Sequence, residues 1–333
     1  MGIENKFKFK SKAASLLVGV SIFAMTSTVS GLETLPKDKS MSGMDIELVG
    51  RDDLWTYQSC DSYNESPLTK SYVDAGKLPP VNERMPKEPW MAKKDQMVDG
   101  IGEYGGTFRH VIGGRPEGFN WLAGQSQGWG GINIQLMESL TRLGPLWQVK
   151  AEEANPLPNL AKDWEFSSDR KSLTMYLLEG ARWSDGDMFD TEDIDFWWND
   201  NVQDANVNSR LPKDALGSGT TLEILGPYSF KFNFDEPKGN AVLAQLAYMG
   251  GAPGPSHVMK PLHPAHNSDA TYESYANGMP ASVLPIVTMG AFVPVVHKVD
   301  ELMVMKRNPY YWKVDEECNQ LPYYNETIYK LTS

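Results

Sequence analysis

Short β-prone stretches alternate with two helical patterns from about residue 104 to the end of the chain. The β-prone stretches are residues 104–114, 160–166, 173–178 and 222–234, with two further candidates within residues 289–329. Turn residues such as Ser168 and Gly226 bound them, which is typical of strands. The chain therefore requires a fold that combines strands and helices.

The first helical pattern covers residues 132–143. Its apolar side chains recur on one helix face, and Glu138 lies on the polar face. The second pattern begins at Asp190 or Thr191, either of which can cap a helix N-terminus. The residues that begin its expected buried stripe are Ile194, Trp197 and Trp198.

The N-terminal 31 residues have the composition of an export signal. Lysines at positions 6, 8, 10 and 12 precede an apolar run over residues 13–25, which is shorter than the ~20 residues that span a bilayer. Small side chains follow at positions 30 and 31, as before a signal-peptidase cut. We predict a signal peptide over residues 1–31, cleaved on export to the periplasm. An uncleaved N-terminal membrane anchor is the alternative.

The charge balance bears on possible partners. The chain has 31 Lys and Arg against 43 Asp and Glu, a formal charge of -12 at pH 7. Binding a polyanion requires a clustered basic surface, and no lysine run comparable to the first occurs after residue 12. We therefore expect no nucleic-acid partner.

Cys60 and Cys318 are the two cysteines of the sequence. An oxidising periplasm permits one bridge between them, but the sequence leaves open whether their Cα atoms come within ~7 Å. With at most one bridge, the fold must rest on its hydrophobic core. Neither cysteine directly follows the apolar run, which argues against anchoring by acylation.

Residues 32–103 are polar, contain five prolines between positions 67 and 89, and have no sustained apolar period. We predict an extended N-terminal arm. At its end, residues 100–105 fit the pattern G-x-G-x-x-G, but a dinucleotide loop must follow a strand and open a helix. Because a strand is predicted to follow here instead, we interpret the glycines as a flexible entry into that strand and expect no cofactor.

Two further groups resemble metal sites only loosely. His257, His263 and His266 lie near Asp269, but packing or surface histidines are commoner than ligands. The acidic residues between positions 185 and 195 lack the twelve-residue calcium-loop pattern, and helix capping accounts for half of them. We expect no metal site.

A secreted hydrolase is the alternative from another functional class. The sequence has neither a G-x-S-x-G nucleophile elbow nor an H-E-x-x-H zinc motif, and nothing in it pairs two carboxylates. We therefore expect no catalytic residues and no enzyme activity.

The loop at residues 124–131 is the candidate ligand site. It leads into the first predicted helix, whose N-terminal end favours polar and anionic groups. The loop offers two amides and an indole, those of Gln125, Gln127 and Trp129. We predict that these three side chains contact a small polar ligand. The alternative is a flexible connection with Trp129 packed inward.

An ordered set of motifs runs through the chain. Its members are PNLAKDWE at 158–165, ARWSDG at 181–186, FDTED at 189–193 and VMKRNPYYW at 304–312. The set resembles the family 5 extracellular solute-binding proteins of bacterial ABC importers, the oligopeptide and dipeptide group. Large apolar rings with a polar N–H suit a core in which that hydrogen finds a partner, so we interpret Trp164, Trp183 and Trp312 as structural. We expect Arg307 to pair with an acidic group or a backbone carbonyl rather than with ligand.

The resemblance implies an α/β fold of the periplasmic binding protein-like type II. It implies a first lobe made of residues 104–138 and 248–333, with an extra α+β domain, rich in β-structure, inserted at 139–247. Proteins of this family are longer, so the second lobe is expected to be missing. Gln125, Gln127 and Trp129 fall where similar proteins bring first-lobe loops to the ligand, by position rather than by residue type.

The function implied by the resemblance is capture of peptides in the periplasm for delivery to an ABC permease in the inner membrane. Oligosaccharide is the nearest alternative ligand, because aromatic side chains such as Trp129 suit stacking on sugar faces. We expect the chain to act as a monomer.

Overall fold

The computed structural model describes residues 48–94, 97, 99–128, 131–144, 149–150, 153 and 155–332. The predicted signal peptide and Trp129 lie outside the described residues. No helix in the described part is long and apolar enough to cross a membrane.

Thirteen strands are described, and most are short. They are β1 (Trp55–Tyr57), β2 (Trp90–Ala92), β3 (Thr107–Ile112), β4 (Thr141–Arg142), β5 (Leu157–Pro158), β6 (Ala161–Phe166), β7 (Ser172–Leu177), β8 (Thr221–Gly226), β9 (Ser229–Asn233), β10 (Phe292–Lys298), β11 (Leu302–Arg307), β12 (Lys313–Asp315) and β13 (Glu326–Leu331). The strands predicted at 104–114, 160–166 and 173–178 are confirmed. The stretch 222–234 forms a hairpin of two strands, β8 and β9.

The α-helices of the described residues are also short. They are α1 (Pro67–Asp74), α2 (Val81–Arg84), α3 (Ile132–Leu136), α4 (Thr191–Asp195), α5 (Ala241–Gln245), α6 (Ser256–Met259) and α7 (Tyr272–Ala276). A π-helical segment, Phe196–Val202, continues α4, and single 3₁₀ turns occupy Arg51–Asp53, Trp121–Ala123 and Lys260–Leu262.

One four-stranded sheet joins distant parts of the sequence in the order β10-β11-β13-β3. β13 runs parallel to β3, with Glu326 opposite Thr107 and Leu331 opposite Ile112. Helix α3 contacts β10, and the methionines of β11, Met303 and Met305, are fully buried. Every strand of this sheet comes from the segments predicted to form the first lobe.

A second four-stranded sheet, β6-β7-β9-β8, is antiparallel throughout. Its buried face packs on the helix that begins at Thr191, where the rings of Trp198 and Phe232 lie 4.8 Å apart. All its strands fall within residues 139–247, the predicted inserted domain. The described residues 48–332 nevertheless belong to one compact unit, so the division at these boundaries stays a prediction.

The helix predicted to begin at Asp190 or Thr191 is confirmed. Asp190 is the N-cap, its carboxylate accepts from the Glu192 N–H at 2.7 Å, and Asp193 closes a capping box. Ile194, Trp197 and Trp198 are buried as expected. The capping residues Asp190 and Asp193 lie within one turn of each other, which is why the sequence predicted the start of this helix well.

The helix predicted over residues 132–143 ends early, at Leu136. Met137 is extended, and the Leu140 and Thr141 N–H groups donate to Gly251 and Leu246 carbonyls instead of continuing the helix. The backbone at Gly290 lies against the carbonyl of Gln135, so closely that a Cβ would overlap it. Pairing with residues more than 100 positions away therefore outcompetes the helical spacing.

The predicted extended arm is, over its described part, folded against the rest of the chain. Helices α1 and α2 and strands β1 and β2 form there, and β2 pairs in parallel with β12 in the sheet β1-β2-β12. Cys60 and Cys318 form a disulfide with Cα atoms 6.2 Å apart. Arg84 is fully buried, paired with Glu65 and donating to the Pro309 carbonyl. These partners lie in the C-terminal part of the chain or in other short segments. No local sequence period therefore predicts the contacts.

Candidate functional site

An exposed tyrosine stands at the centre of the candidate site. Tyr248 is 56% exposed, and its φ of 58° is unusual for a bulky side chain. Its N–H donates to Ser139 Oγ at 3.0 Å, and its hydroxyl accepts from Asn133 Nδ2 at 2.6 Å. A ring held outward by a strained backbone is the kind of feature that clusters at ligand sites.

Two concave spaces lie beside this ring, and both are lined by Tyr248 and Met249. The larger, which we call the chamber, has a volume of about 580 Å³ and is walled by residues of β2, α3, β4 and β12. The smaller, the groove, has a volume of about 370 Å³ and is lined by Gly124, Gly250 and residues 208–210. The ring thus lies between two spaces of the size that small ligands occupy.

The chamber contains a buried carboxylate with three hydrogen-bond donors. Glu138 Oε1 accepts from Lys313 Nζ at 2.8 Å and from the Tyr311 hydroxyl at 2.7 Å, while Oε2 accepts from Asn159 Nδ2 at 2.8 Å. Lys313 and Glu138 side chains are 6% and 12% exposed. Glu138, which the helical pattern placed on a polar surface, is therefore part of a buried network.

The ionisation of this network follows from burial and from an excess of positive charge. Burial favours the neutral form of Glu138, but the charges of Lys313 and Arg142 outweigh it and hold the pKa of Glu138 below its ordinary value. Burial, together with the nearby charge of Arg142, outweighs the attraction of Glu138 and lowers the pKa of Lys313 to about 8. Lys313 thus pairs with the carboxylate of Glu138, and the charge of Arg142 acts on both.

Of the predicted ligand residues, Gln125 and Gln127 follow Gly124, which lines the groove, and Trp129 lies outside the described residues. Arg210 donates to the carbonyls of Gly124 and Gln125, at 3.1 and 2.7 Å, and so fixes the loop. The Gln125 side chain donates to Asn277 Oδ1 at 3.1 Å. Gln127 is buried and donates to the Gln125 carbonyl, while its Oε1 has no partner among the described residues. The Gln125 amide is therefore engaged by Asn277 and the Gln127 amide by the loop backbone, and their contact with ligand stays a prediction.

The motif tryptophans occupy structural positions. Trp183 is fully buried and donates from Nε1 to Asp193 Oδ2 at 3.0 Å, whereas Trp312 is fully buried with an Nε1 that has no partner in the described part of the chain. Trp164 is partly buried against the core. Arg307 is buried and donates to the Gln320 carbonyl at 3.1 Å, as expected.

The three histidines His257, His263 and His266 contact different partners. His257 lies 2.8 Å from Asp185 and 3.1 Å from Asp187, His266 lies 2.7 Å from Asp200, and His263 packs in the core with its ring 4.5 Å from that of Tyr275. Among the described residues no group of three or more His, Cys, Asp or Glu is arranged to hold a metal ion.

Sequence reasoning missed Tyr248, Asn133 and the chamber. The residues Tyr-Met-Gly-Gly at 248–251 carried one weak signal, an aromatic residue before a glycine pair. Asn159 lies inside the motif at 158–165, and Lys313 directly follows the motif at 304–312. Their convergence depends on pairings between residues far apart in the sequence.

Comparison with known proteins gives a consistent family. A family model described as bacterial extracellular solute-binding proteins, family 5 Middle, matches residues 155–333. A periplasmic alpha-galactoside-binding protein of Rhizobium meliloti (strain 1021) is 48% identical over 96% of this chain, which covers 47% of that protein.

Solved structures agree in fold. The periplasmic binding protein MelB from Agrobacterium fabrum C58, in complex with stachyose, superposes with a TM-score of 0.84 at 46% identity, over 90% of this chain and 46% of that one. An oligopeptide-binding protein OppA gives a TM-score of 0.68 at 28% identity, over 83% and 42%. The chain spans just under half the length of these relatives.

Proposed function

The chain belongs to the bacterial extracellular solute-binding proteins of family 5, and from this premise we propose that it is the oligosaccharide-binding component of an ABC importer, acting as a monomer in the periplasm. The signal peptide predicted over residues 1–31 would direct its export. Its role is to bind ligand without chemical change and present it to a permease of the inner membrane.

One comparison supports oligosaccharide as the ligand class. At 46% identity and a TM-score of 0.84, the similarity to a stachyose complex is far stronger than the similarity to the peptide binder, at 28% and 0.68. The name of the Rhizobium relative points to the same chemistry. The order expected from the sequence, peptide first and oligosaccharide second, is therefore reversed.

The site geometry is compatible with a sugar. An exposed aromatic ring at Tyr248 offers an apolar face, and the amide of Asn133 and the hydroxyl of Ser139 lie beside it. Sugars present an apolar ring face and a rim of hydroxyls, which matches this combination. Gln125, Gln127 and Trp129 remain proposed contacts from the loop that borders the groove.

The test is a comparison of thermal unfolding with different ligands. A ligand at 100 times its dissociation constant adds about 2.7 kcal/mol of stability. We expect stachyose to raise the unfolding temperature of the purified chain and a tripeptide mixture to leave it unchanged. A shift with peptide alone would reverse the assignment, and release of free monosaccharide from stachyose would indicate a hydrolase.

A further inference from the structure

The chamber is open at one side and buried at the other. Ile134, Leu143 and Tyr248 form its exposed mouth, being 60%, 49% and 56% exposed. Trp90 and Asn159 line it and are 2% and 1% exposed. At about 580 Å³ it is larger than a bound water requires and within the range of small-ligand pockets.

Two buried polar atoms of the chamber lining have no partner among the described residues: Trp90 Nε1 and Asn159 Oδ1. The Asn159 amide is oriented by its other end, since Nδ2 donates to Glu138 Oε2 at 2.8 Å and to the Ser139 carbonyl at 2.7 Å. Leaving such atoms unpaired destabilises a fold, so a bound group that pairs with them is favoured. Two residues of the lining thus each hold one polar atom, a donor and an acceptor, that has no partner among the described residues.

The indole of Trp90 lies near two cations. Arg142 and Lys313 each lie 5.3 Å from the centroid of its ring. The cations contact the ring of Trp90 and leave its N–H without a partner among the described residues. A hydroxyl both donates and accepts a hydrogen bond, so one polyhydroxylated ring can satisfy Trp90 and Asn159 together.

The N-terminal segment supplies this wall. Trp90 and Lys313 are register partners in the parallel pairing of β2 with β12. The disulfide between Cys60 and Cys318 links the two regions covalently. The segment predicted as an arm therefore builds one side of the chamber.

We propose that the chamber is a binding site for one hexopyranose unit at the end of an oligosaccharide, with Trp90 Nε1 donating to one hydroxyl and Asn159 Oδ1 accepting from another. The inference rests on the proposed oligosaccharide function. The proposal is supported by the cavity, its two unpaired atoms and its open mouth.

The test uses two variants of the full chain and calorimetric titration with stachyose and with methyl α-galactoside. Trp90→Phe keeps an aromatic body and removes the N–H, so we expect about fivefold weaker binding of both sugars. Leu143→Trp fills the mouth from an exposed position, and we expect at least tenfold weaker binding. Leu225→Trp is the matched control, because Leu225 is 47% exposed on β8, outside the chamber lining.

A second readout observes the wild-type chain directly and does not depend on comparing the affinities of variants. In ¹⁵N-tryptophan-labelled chain, the indole resonance that Trp90→Phe removes should shift when methyl α-galactoside is added. Wild-type binding with an unshifted Trp90 resonance, or with equal affinity in Leu143→Trp and Leu225→Trp, would overturn the chamber and assign the unpaired atoms to bound water. Absence of sugar binding by the wild-type chain would instead overturn the proposed function, and the chamber with it.

Discussion

Glu138 Oε1 lies 2.8 Å from Lys313 Nζ and joins residues 175 positions apart in the sequence. Both side chains are nearly buried, and the pair connects the end of α3 with strand β12. A buried ion pair adds little over an apolar alternative, but removing one partner leaves an uncompensated charge. The pair therefore constrains how the walls of the chamber meet.

We expect Glu138→Gln to lower the free energy of unfolding by about 3–5 kcal/mol, because Lys313 and Arg142 would lose their shared carboxylate. Denaturant titration at pH 7 measures the loss. Glu301→Gln is the control, since the Lys298–Glu301 pair is exposed and should contribute under about 1 kcal/mol. Equal losses in the two variants would contradict the assigned role of the pair.

Two buried tryptophans differ in whether the indole N–H has a partner, which predicts unequal effects of substitution. Trp183→Phe removes a donor from the buried Asp193 carboxylate, whereas Trp312→Phe removes an N–H that has no partner in the described residues. Both substitutions delete similar volume. We expect Trp183→Phe to lower the free energy of unfolding by about 1.5–3 kcal/mol more than Trp312→Phe does, as measured by denaturant titration.

Burial raises the pKa of Asp193 to about 6, despite the hydrogen bonds from Ser256 and Trp183. Because this folded-state pKa lies above that of the unfolded chain, the contribution of Asp193 to stability is lost as the pH rises through about 6. In Trp183→Phe the pKa should rise further, so the loss should extend to higher pH. Unfolding free energies at pH 5 and pH 7.5 measure the difference.

His257 lies between two carboxylates. Burial alone lowers its pKa, but the hydrogen bond and charge of Asp185 and the charge of Asp187 outweigh burial and raise it above 6.5. Its stabilising contribution is therefore present below pH 6.5 and is lost as the pH rises through the folded-state pKa. We expect Asp185→Asn to lower the pKa of His257 in an NMR titration. Asp200→Asn, beside His266, should leave it unchanged.

Reduction of the disulfide should weaken the fold. Cys60 and Cys318 are separated by 258 residues, so the bridge removes much conformational freedom from the unfolded chain. We expect the double variant Cys60→Ser, Cys318→Ser to lose about 2–5 kcal/mol in thermal or denaturant unfolding. Reductant should lower the stability of wild type and leave that of the variant unchanged.

Tyr248→Ala should weaken stachyose binding at least tenfold while changing stability little, because the side chain is more than half exposed. Calorimetry and thermal unfolding separate the two effects. Tyr72→Ala is the control, since Tyr72 is 44% exposed on α1 and lines none of the described spaces beside Tyr248. Equal affinities of the two variants would remove Tyr248 from the site.

The sequence by itself determined the features that depend on near neighbours. The helix at Thr191 was predictable because Asp190 and Asp193 cap it within a single turn. The strands β6 and β7 and the family motifs were equally local, and they led to the right family. These local features could not distinguish a peptide ligand from an oligosaccharide, because the motif residues pack inside the fold.

The tertiary structure determined which residues come together at the chamber. The chamber brings together Trp90 of β2, Glu138 from the segment just after α3, and Lys313 of β12. These residues meet only because β2 pairs with β12 and α3 ends at Leu136. The same long-range contacts folded the predicted arm and closed the bridge between Cys60 and Cys318. Such contacts depend on the sum of many weak pairings across the chain, and no period or spacing within a short window records them.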